Sequence, residues 1–319
     1  MTDLRPILAA YALDDPEQID ELKEGCVWRV QHASGDWVLA ERPVYDPESR
    51  RVERFEAASA LMNALNDAGQ PWVRALPTRD GHFITQHGDV LYQVTTFVHG
   101  NVGLENASSD ALPAIGSILG EYHRFQESSF DVSLPIHDFT DMTSYGLDLR
   151  RQECAEFSCE RMPTRQDIDE ALLMFLQIEP DLRSLPYGLI HMDLSAGNIA
   201  TENGVPVAVF DFEAFCAPFL LDMGITALYW TYMFDPETGN THIDRDRLGV
   251  LLRSYARSRP LSDLEKEYLK NAFVWSAIRK WSRQARFQPG QPEYRLHTRY
   301  DNYRLTLDLD EDWLKEQVT

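Results

Sequence analysis

Alternating apolar and polar residues in the N-terminal part of the chain predict β-structure. Strand-like runs lie at residues 26–32, 36–40, 82–84 and 90–98. The first two flank the turn Ala33-Ser34-Gly35, and the last two flank His87-Gly88-Asp89, which is the signal of a β-hairpin. Between these pairs, residues 51–65 carry apolar side chains at the spacing of an amphipathic helix. The pattern predicts the order β-β-α-β-β.

From residue 110 onward the periodicity becomes mainly helical. An apolar stripe over residues 112–125 predicts one helix, and Thr164 with Asp167 resembles the capping box of a second, which we expect to stop before Pro180. The stretch 126–163 is polar with little periodicity, which is typical of a surface connection or of a mobile loop over a substrate site. Further helices are predicted around residues 225–234, 248–255 and 268–286. The chain is therefore predicted to be α+β.

The run of residues 189–213 carries the strongest chemical signal. An Asp followed five residues later by an Asn, with a second Asp on the next strand, supplies the proton acceptor and the metal ligands of phosphoryl transfer in kinases. Asp193, Asn198 and Asp211 have this arrangement, and His191 precedes them. The alternative is a polar loop between two buried strands. The spacing favours a catalytic loop.

Composition narrows the class of protein. A chain of 319 residues predicts one large domain of two lobes or two smaller domains. The net charge of −21 argues against a nucleic-acid partner, which would require a basic face. We find neither an apolar run of roughly 20 residues for a membrane partner nor a secretory signal. The four scattered cysteines indicate reduced thiols, so we expect a cytoplasmic protein. No feature indicates the oligomeric state.

Several motifs give the chain a resemblance to the aminoglycoside phosphotransferase-like kinases, a superfamily that includes choline kinases and type II homoserine kinases. They are His191-Met192-Asp193 with Asn198, Asp211-Phe212-Glu213, Leu221-Asp222-Met223-Gly224, Phe55-Glu56-Ala57-Ala58 and Leu119-Gly120-Glu121-Tyr122-His123. The resemblance implies a bilobal protein-kinase-like fold that uses ATP and Mg²⁺. Residues 1–98 would form the N-terminal nucleotide-binding lobe, with a small antiparallel sheet and one helix. Residues 99–319 would form the larger, mainly helical lobe that binds the acceptor.

The resemblance also implies roles for the residues of the catalytic loop and its surroundings. Asp193 would be the catalytic base, and His191 would orient the loop. Asn198 and Asp211 would hold Mg²⁺. The remaining two carboxylates would lie nearby, Glu213 beside the metal or the substrate and Asp222 as an acceptor of backbone N–H groups from the loop.

The nucleotide-binding residues depart from the family pattern because no lysine lies between positions 23 and 266. Alignment of Leu39-Ala40-Glu41-Arg42 with the strand that normally carries the phosphate-binding lysine puts Arg42 in its place, and arginine also binds phosphate. Lys23 is the rival. The expected partner of Arg42 is Glu56, with Glu53, one helical turn earlier, as the alternative. The phosphate-covering turn would contain Gly25, and the adenine would lie against Phe97 and Val98.

The sequence gives the least information about the acceptor substrate. Arg279, Arg283 and Arg286 fall at helical spacing, so we expect Arg279 and Arg283 to hold a carboxylate or phosphate of the substrate, with surface salt bridges as the alternative. The leading function is phosphorylation of a hydroxyl of a small molecule, such as an amino alcohol, a sugar or an aminoglycoside. Two alternatives are a Ser/Thr protein kinase of the same fold and a nucleotide-binding pseudokinase or regulatory module without turnover.

Overall fold

The chain divides into two compact units. The computed structural model describes residues 3–43, 51–103, 109–130, 133–156, 163–212, 214–283 and 294–319. The N-terminal unit comprises Met1–Asn106 with Gly197–Ala214, and the C-terminal unit comprises Ala107–Ala196 with Phe215–Thr319. The predicted lobe boundary after residue 98 falls inside the first segment and stays a prediction.

An antiparallel sheet forms the centre of the N-terminal unit. Its strands are β1 (Gln18–Lys23), β2 (Val27–His32), β3 (Gly35–Pro43), β4 (Ile84–His87) and β5 (Val90–Thr96), in the order β1-β2-β3-β5-β4. The hairpin of β2 and β3 pairs His32 with Gly35, and the hairpin of β4 and β5 pairs His87 with Val90. Both hairpins were predicted, whereas β1 was not.

Two helices and a small second sheet complete the N-terminal unit. They are α1 (Arg5–Ala10), α2 (Arg51–Asp67) and the three strands β6 (Asn101–Val102), β8 (Ile199–Glu202) and β9 (Val205–Val209). Helix α1 was not predicted because it is short, yet its Ile7 and Leu8 are buried against Trp28, Val30 and Leu39 of the main sheet. Burial of these apolar side chains stabilises the packing of α1 on the main sheet.

The C-terminal unit is mainly helical. Its helices are α3 (Leu112–Ser129), α4 (Thr140–Glu156), α5 (Arg165–Leu182), α6 (Phe219–Thr231), α7 (Arg245–Ser258), α8 (Asp263–Glu267), α9 (Leu269–Ser282), α10 (Tyr294–Leu307) and α11 (Glu311–Gln317). Strand β7 (Tyr187–Ile190) pairs with β10 (Phe215–Pro218), and β11 (Tyr232–Asp235) pairs with β12 (Asn240–Ile243). Within the described part of the chain, no helix combines the length and apolar content needed to cross a bilayer.

Helices α4 and α5 of the C-terminal unit differ from the prediction. Helix α4 lies in the stretch that we expected to be a connection, because packing rather than periodicity specifies it: Gly146 lies directly against the backbone of Ser282, and Leu147 is buried. Helix α5 begins with the predicted capping box at Thr164 but continues through Pro180 to Leu182. A proline this close to a C-terminus removes only its own N–H bond, so the last turn can still form.

Helices α3 and α7 pack closely against each other inside the C-terminal unit. A Cβ atom at Gly116 would lie 2.6 Å from the Leu251 carbonyl oxygen, and one at Gly120 would lie 2.7 Å from that of Tyr255. Both glycines are therefore required for the two helices to approach. This approach brings His123 of α3 to Tyr255 of α7 inside the unit.

Candidate active site

The catalytic loop follows β7 in the C-terminal unit and is held by a buried carboxylate. Asp222 of α6 is fully buried, and its two oxygens accept the backbone N–H groups of His191 and Met192, each at 2.8 Å. Met192 has a φ of 63°, a left-handed conformation that a residue with a side chain rarely adopts. His191 is buried, and its Nδ1 accepts the N–H of Asp193 at 3.3 Å. These hydrogen bonds hold the part of the loop backbone that carries the Asp193 side chain.

A buried hydrogen-bonded chain extends from Asp222 to helix α7. His123 Nε2 lies 3.2 Å from Asp222 Oδ2, and its Nδ1 lies 2.9 Å from the Tyr255 hydroxyl. Burial lowers the pKa of His123, so the neutral ring donates from Nε2 to the carboxylate and accepts from Tyr255 at Nδ1. Arg259 then donates to the Tyr255 oxygen at 3.1 Å.

Arg259 is itself anchored by two carboxylates. Its guanidinium donates to Glu127 of α3 at 2.6 Å and to Glu265 of α8 at 2.8 Å. Because every member of the chain has a partner, the network can be rigid without leaving a buried charge uncompensated. His123 belongs to one of the sequence motifs that carry the family resemblance, whereas Tyr255 and Arg259 were not predicted as site residues.

Asp193 lines a cavity within the C-terminal unit. The cavity has a volume of about 230 Å³, and its other lining residues are Met192, Ile225, Tyr229, Lys280, Arg283 and Arg299. Three of these side chains are cationic, and among the described lining residues Asp193 is the only carboxylate. Lys280 and Arg299 had not been predicted. The signal that could have indicated Lys280 is the Arg279-Lys280 pair in a mainly apolar segment of α9.

Tyr229 connects the carboxylate to the cationic side of the cavity. Its hydroxyl interacts electrostatically with Asp193 and with Arg299. Burial, followed by the charge of Asp193, raises the pKa of Tyr229 well above its ordinary value, so the hydroxyl stays protonated beside the carboxylate. The ammonium group of Lys280 lies over the ring of the same tyrosine, a cation–π contact.

The two predicted metal ligands lie together in the N-terminal unit. Strands β8 and β9 pair Ile199 with Val209, and the N–H of Phe210 donates to the carbonyl oxygen of Asn198 at 3.1 Å. Asp211 follows at once, with a φ of 60° and a side chain that is 47% exposed. The described residues contain no group of three or more His, Cys, Asp or Glu side chains that could hold a metal ion. An amide and a carboxylate nevertheless fit Mg²⁺, which usually takes few protein ligands and completes its shell with phosphate and water.

Arg42 is directed at this pair from β3. Its guanidinium forms an ion pair with Asp211, and a second nitrogen donates to Gln93 at 3.1 Å. Lys23 is exposed at the end of β1. Gly25 has a φ of 67° in the following turn, where its N–H donates to the Glu21 carboxylate at 2.6 Å.

The predicted pairing of Glu56 with Arg42 is wrong. The Glu56 carboxylate accepts the backbone N–H groups of Phe83 at 2.9 Å and Ile84 at 2.9 Å, where β4 begins. These donors would otherwise be left without an acceptor at the strand start, so Glu56 stabilises the sheet instead.

The structure does not place Arg279 at the cavity beside Asp193, and its predicted role in acceptor binding stays a prediction. Arg279 is 1% exposed, stacks over Phe139 at 5.5 Å and does not line the cavity, whereas Arg283 does. Helix α9 is buried on all sides, so two residues on one face need not reach the same site. Phe97 and Val98 follow β5, with the Phe97 N–H donating to the Asp36 carbonyl oxygen at 3.0 Å, and their contact with adenine stays a prediction. Glu213 and Arg286 lie outside the described residues.

A comparison with known families agrees with these motifs. The model of the phosphotransferase enzyme family matches residues 17–261. The chain belongs to this family. The predicted kinship with aminoglycoside phosphotransferase-like kinases is thereby confirmed, and the chain is a phosphotransferase.

Curated relatives and solved structures extend this result. The homoserine kinase of Gluconobacter oxydans (strain 621H) is 27% identical over 265 residues, which cover 82% of this chain and 78% of that protein. The homoserine kinase of Polaromonas naphthalenivorans (strain CJ2) is 38% identical over 100 residues, 31% of this chain and 30% of that protein.

The structure of amicoumacin kinase hAmiN in complex with AMP-PNP, Ca²⁺ and Ami has a TM-score of 0.67, with 17% identity over 98% of this chain and 97% of that one. The microcompartment-associated aminopropanol kinase has a TM-score of 0.65, with 16% identity over 98% of this chain and 97% of that one. Both similarities confirm the predicted α+β, protein-kinase-like fold.

Proposed function

We propose that this phosphotransferase transfers the γ-phosphoryl group of ATP to a hydroxyl of a small molecule. The observation that carries the proposal is the Asp193 carboxylate on the wall of a cavity of about 230 Å³. The acceptor oxygen forms a bond to the γ-phosphorus, the bond from that phosphorus to the bridging oxygen of ADP breaks, and Asp193 takes the hydroxyl proton. Tyr229 and the loop bonds to Asp222 keep the carboxylate oriented.

The cofactors of the reaction are ATP and Mg²⁺. When bound, the metal neutralises the charge that develops on the nucleotide phosphates. Asn198 and Asp211 would hold it, and Arg42 would contact the phosphates in place of the usual lysine. Arg42 is 16% exposed and directed at Asp211, whereas Lys23 is exposed on an outer strand, so the geometry favours Arg42. The complex of hAmiN with AMP-PNP supports a nucleotide cofactor of this kind.

The acceptor that we propose is small. Pockets for drug-sized ligands usually measure about 300–1,000 Å³, and the cavity beside Asp193 is smaller. This volume favours a compact alcohol over a polypeptide segment, which argues against the protein-kinase alternative. Because several relatives are named homoserine kinase, four-carbon alcohols are the first acceptors to test.

The test compares the wild-type chain with Asp193→Asn and with Asp263→Asn as a surface control. Asp263 is fully exposed at the start of α8. We expect ADP release with a small alcohol to require Mg²⁺ and to fall at least about 100-fold in Asp193→Asn, with nucleotide binding retained by calorimetry. Wild-type activity in the control is expected. Absence of Mg²⁺-dependent ATP binding by the wild-type chain would refute the proposal, and equal turnover in Asp193→Asn would refute the role of this residue.

A further inference from the structure

The charged side chains that line the cavity beside Asp193 are mainly basic. Lys280 on α9, Arg283 directly after the end of that helix and Arg299 on α10 bring three basic side chains to one small volume. Asp193 supplies the negative charge that acts on Lys280 and on Arg299 within the part of the chain that the structure describes. The three basic side chains outnumber this carboxylate, which the proposed function assigns to proton transfer. The described lining of the cavity therefore has an excess of positive charge.

Lys280 makes this excess difficult to explain by folding alone. It is 8% exposed, and burial, followed by repulsion from Arg299, lowers its pKa well below the ordinary value. A buried ammonium destabilises the fold unless a counter-charge or a ligand compensates it. The Tyr229 ring offers a partial compensation only.

We infer that the cavity binds an acceptor that carries a carboxylate or phosphate group in addition to its hydroxyl, and that Lys280, Arg283 and Arg299 hold this anionic group. The inference rests on the proposed function and specifies its substrate class. Guanidinium and ammonium groups are the common ligands of both anions, arginine by paired donors and lysine as a point charge. An acceptor with an ammonium group would instead meet three like charges.

The four-carbon alcohols provide a matched set of acceptors. The common chain ends in a carboxylate in γ-hydroxybutyrate, in a phosphate in hydroxybutyl phosphate, in a second hydroxyl in butanediol and in an ammonium in aminobutanol. Homoserine adds an ammonium to the hydroxy acid. The test is the kcat/KM of each acceptor, determined from ADP release. We expect the better of the two anionic acceptors to exceed butanediol by about 10- to 100-fold, with aminobutanol lowest. The ratio of the two anionic acceptors identifies the preferred group.

Variants of the cavity test the assignment to these side chains. Lys280→Met and Arg299→Gln keep the approximate length of each side chain and remove its charge. We expect each to raise the KM for the anionic acceptor by about tenfold or more, to leave the KM for ATP within about twofold, and to reduce the preference over butanediol. Lys266→Met is the matched control, because Lys266 lies on α8, 3.8 Å from an exposed Asp263 carboxylate.

The outcomes separate this inference from the proposed function. Turnover of butanediol or aminobutanol at a rate equal to the anionic acceptors overturns the inference and leaves the kinase assignment intact. A rise in the KM for ATP without a change in that for the acceptor also overturns it, because the cations then serve the nucleotide. If none of the alcohols is phosphorylated, calorimetry in the presence of ADP decides: anionic acceptors must bind more tightly than butanediol, and equal affinities overturn the inference.

Discussion

The carboxylate of Asp222 offers the sharpest test of how the catalytic loop is held. It accepts three buried N–H groups, from the backbone of His191, the backbone of Met192 and the ring of His123. In Asp222→Asn one oxygen becomes an amide nitrogen, so one of the two backbone donors faces another donor. His123 can adapt by changing its tautomer, since Tyr255 can donate or accept.

The magnitude follows from the number of donors that lose their acceptor. A buried donor without an acceptor destabilises a protein by about 1–3 kcal/mol, so we expect a loss of this size for Asp222→Asn. In Asp222→Ala all three donors lose their acceptor. Because the loop can open to water and recover part of the loss, we expect about 3–5 kcal/mol.

Urea unfolding provides the assay, with steady-state kinetics on the same samples. We expect kcat to fall in both variants through misplacement of Asp193, and we expect the KM for ATP to change little. Asp263→Asn, at an exposed position, should stay within about 0.5 kcal/mol of wild type. An Asp222→Asn protein as stable as wild type, or an Asp222→Ala protein no less stable than Asp222→Asn, would refute the reasoning.

Three more predictions concern single side chains. Glu56→Gln should lower the free energy of unfolding by about 1–2 kcal/mol, because a neutral amide oxygen accepts from Phe83 and Ile84 more weakly, and should leave kcat unchanged; a lost kcat would restore a nucleotide-binding role for Glu56. Arg42→Met should weaken ATP binding by about 10-fold or more, measured by calorimetry, and Arg42→Lys should retain most of it; equal affinities would assign the phosphates to another residue. Lys280→Met should be more stable than wild type at pH 7. The folded-state pKa of Lys280 lies below its unfolded value, so the unfolded chain holds more protons at this group, and the destabilisation by Lys280 becomes smaller as the pH rises towards about 10.5. The stability difference measured by urea unfolding should therefore shrink between pH 7 and pH 10, and a constant difference would contradict it.

The contiguous part of the site was the most predictable from the sequence. Asp193, Asn198 and Asp211 belong to one strand–loop–strand run, so their spacing in the chain already carries the chemical pattern. Both hairpins of the N-terminal sheet could be predicted equally well, because turn residues and the alternation of apolar and polar side chains act over a few neighbouring positions.

Contacts that depend on tertiary packing could not be predicted from the sequence. Arg279 and Lys280 are neighbours on a helix buried on all sides, and only the tertiary structure directs one to Phe139 and the other to Tyr229. Glu56 was assigned to Arg42 by resemblance, although the start of β4 provides it with two backbone donors. Helix α4 has little amphipathic contrast, so its close contact with the end of α9 could not be anticipated.

The ion pair between Arg42 and Asp211 has a consequence for the order in which ligands bind. Asp211 is already neutralised by a guanidinium from its own unit, so it has little remaining charge with which to attract a divalent cation. Nucleotide phosphates would offer Arg42 another anionic partner, and a guanidinium that turned to them would release the carboxylate. We therefore expect free divalent ions to bind weakly and nucleotide to arrive together with its metal, so that the arginine acts as an internal counter-ion that screens the site against stray cations.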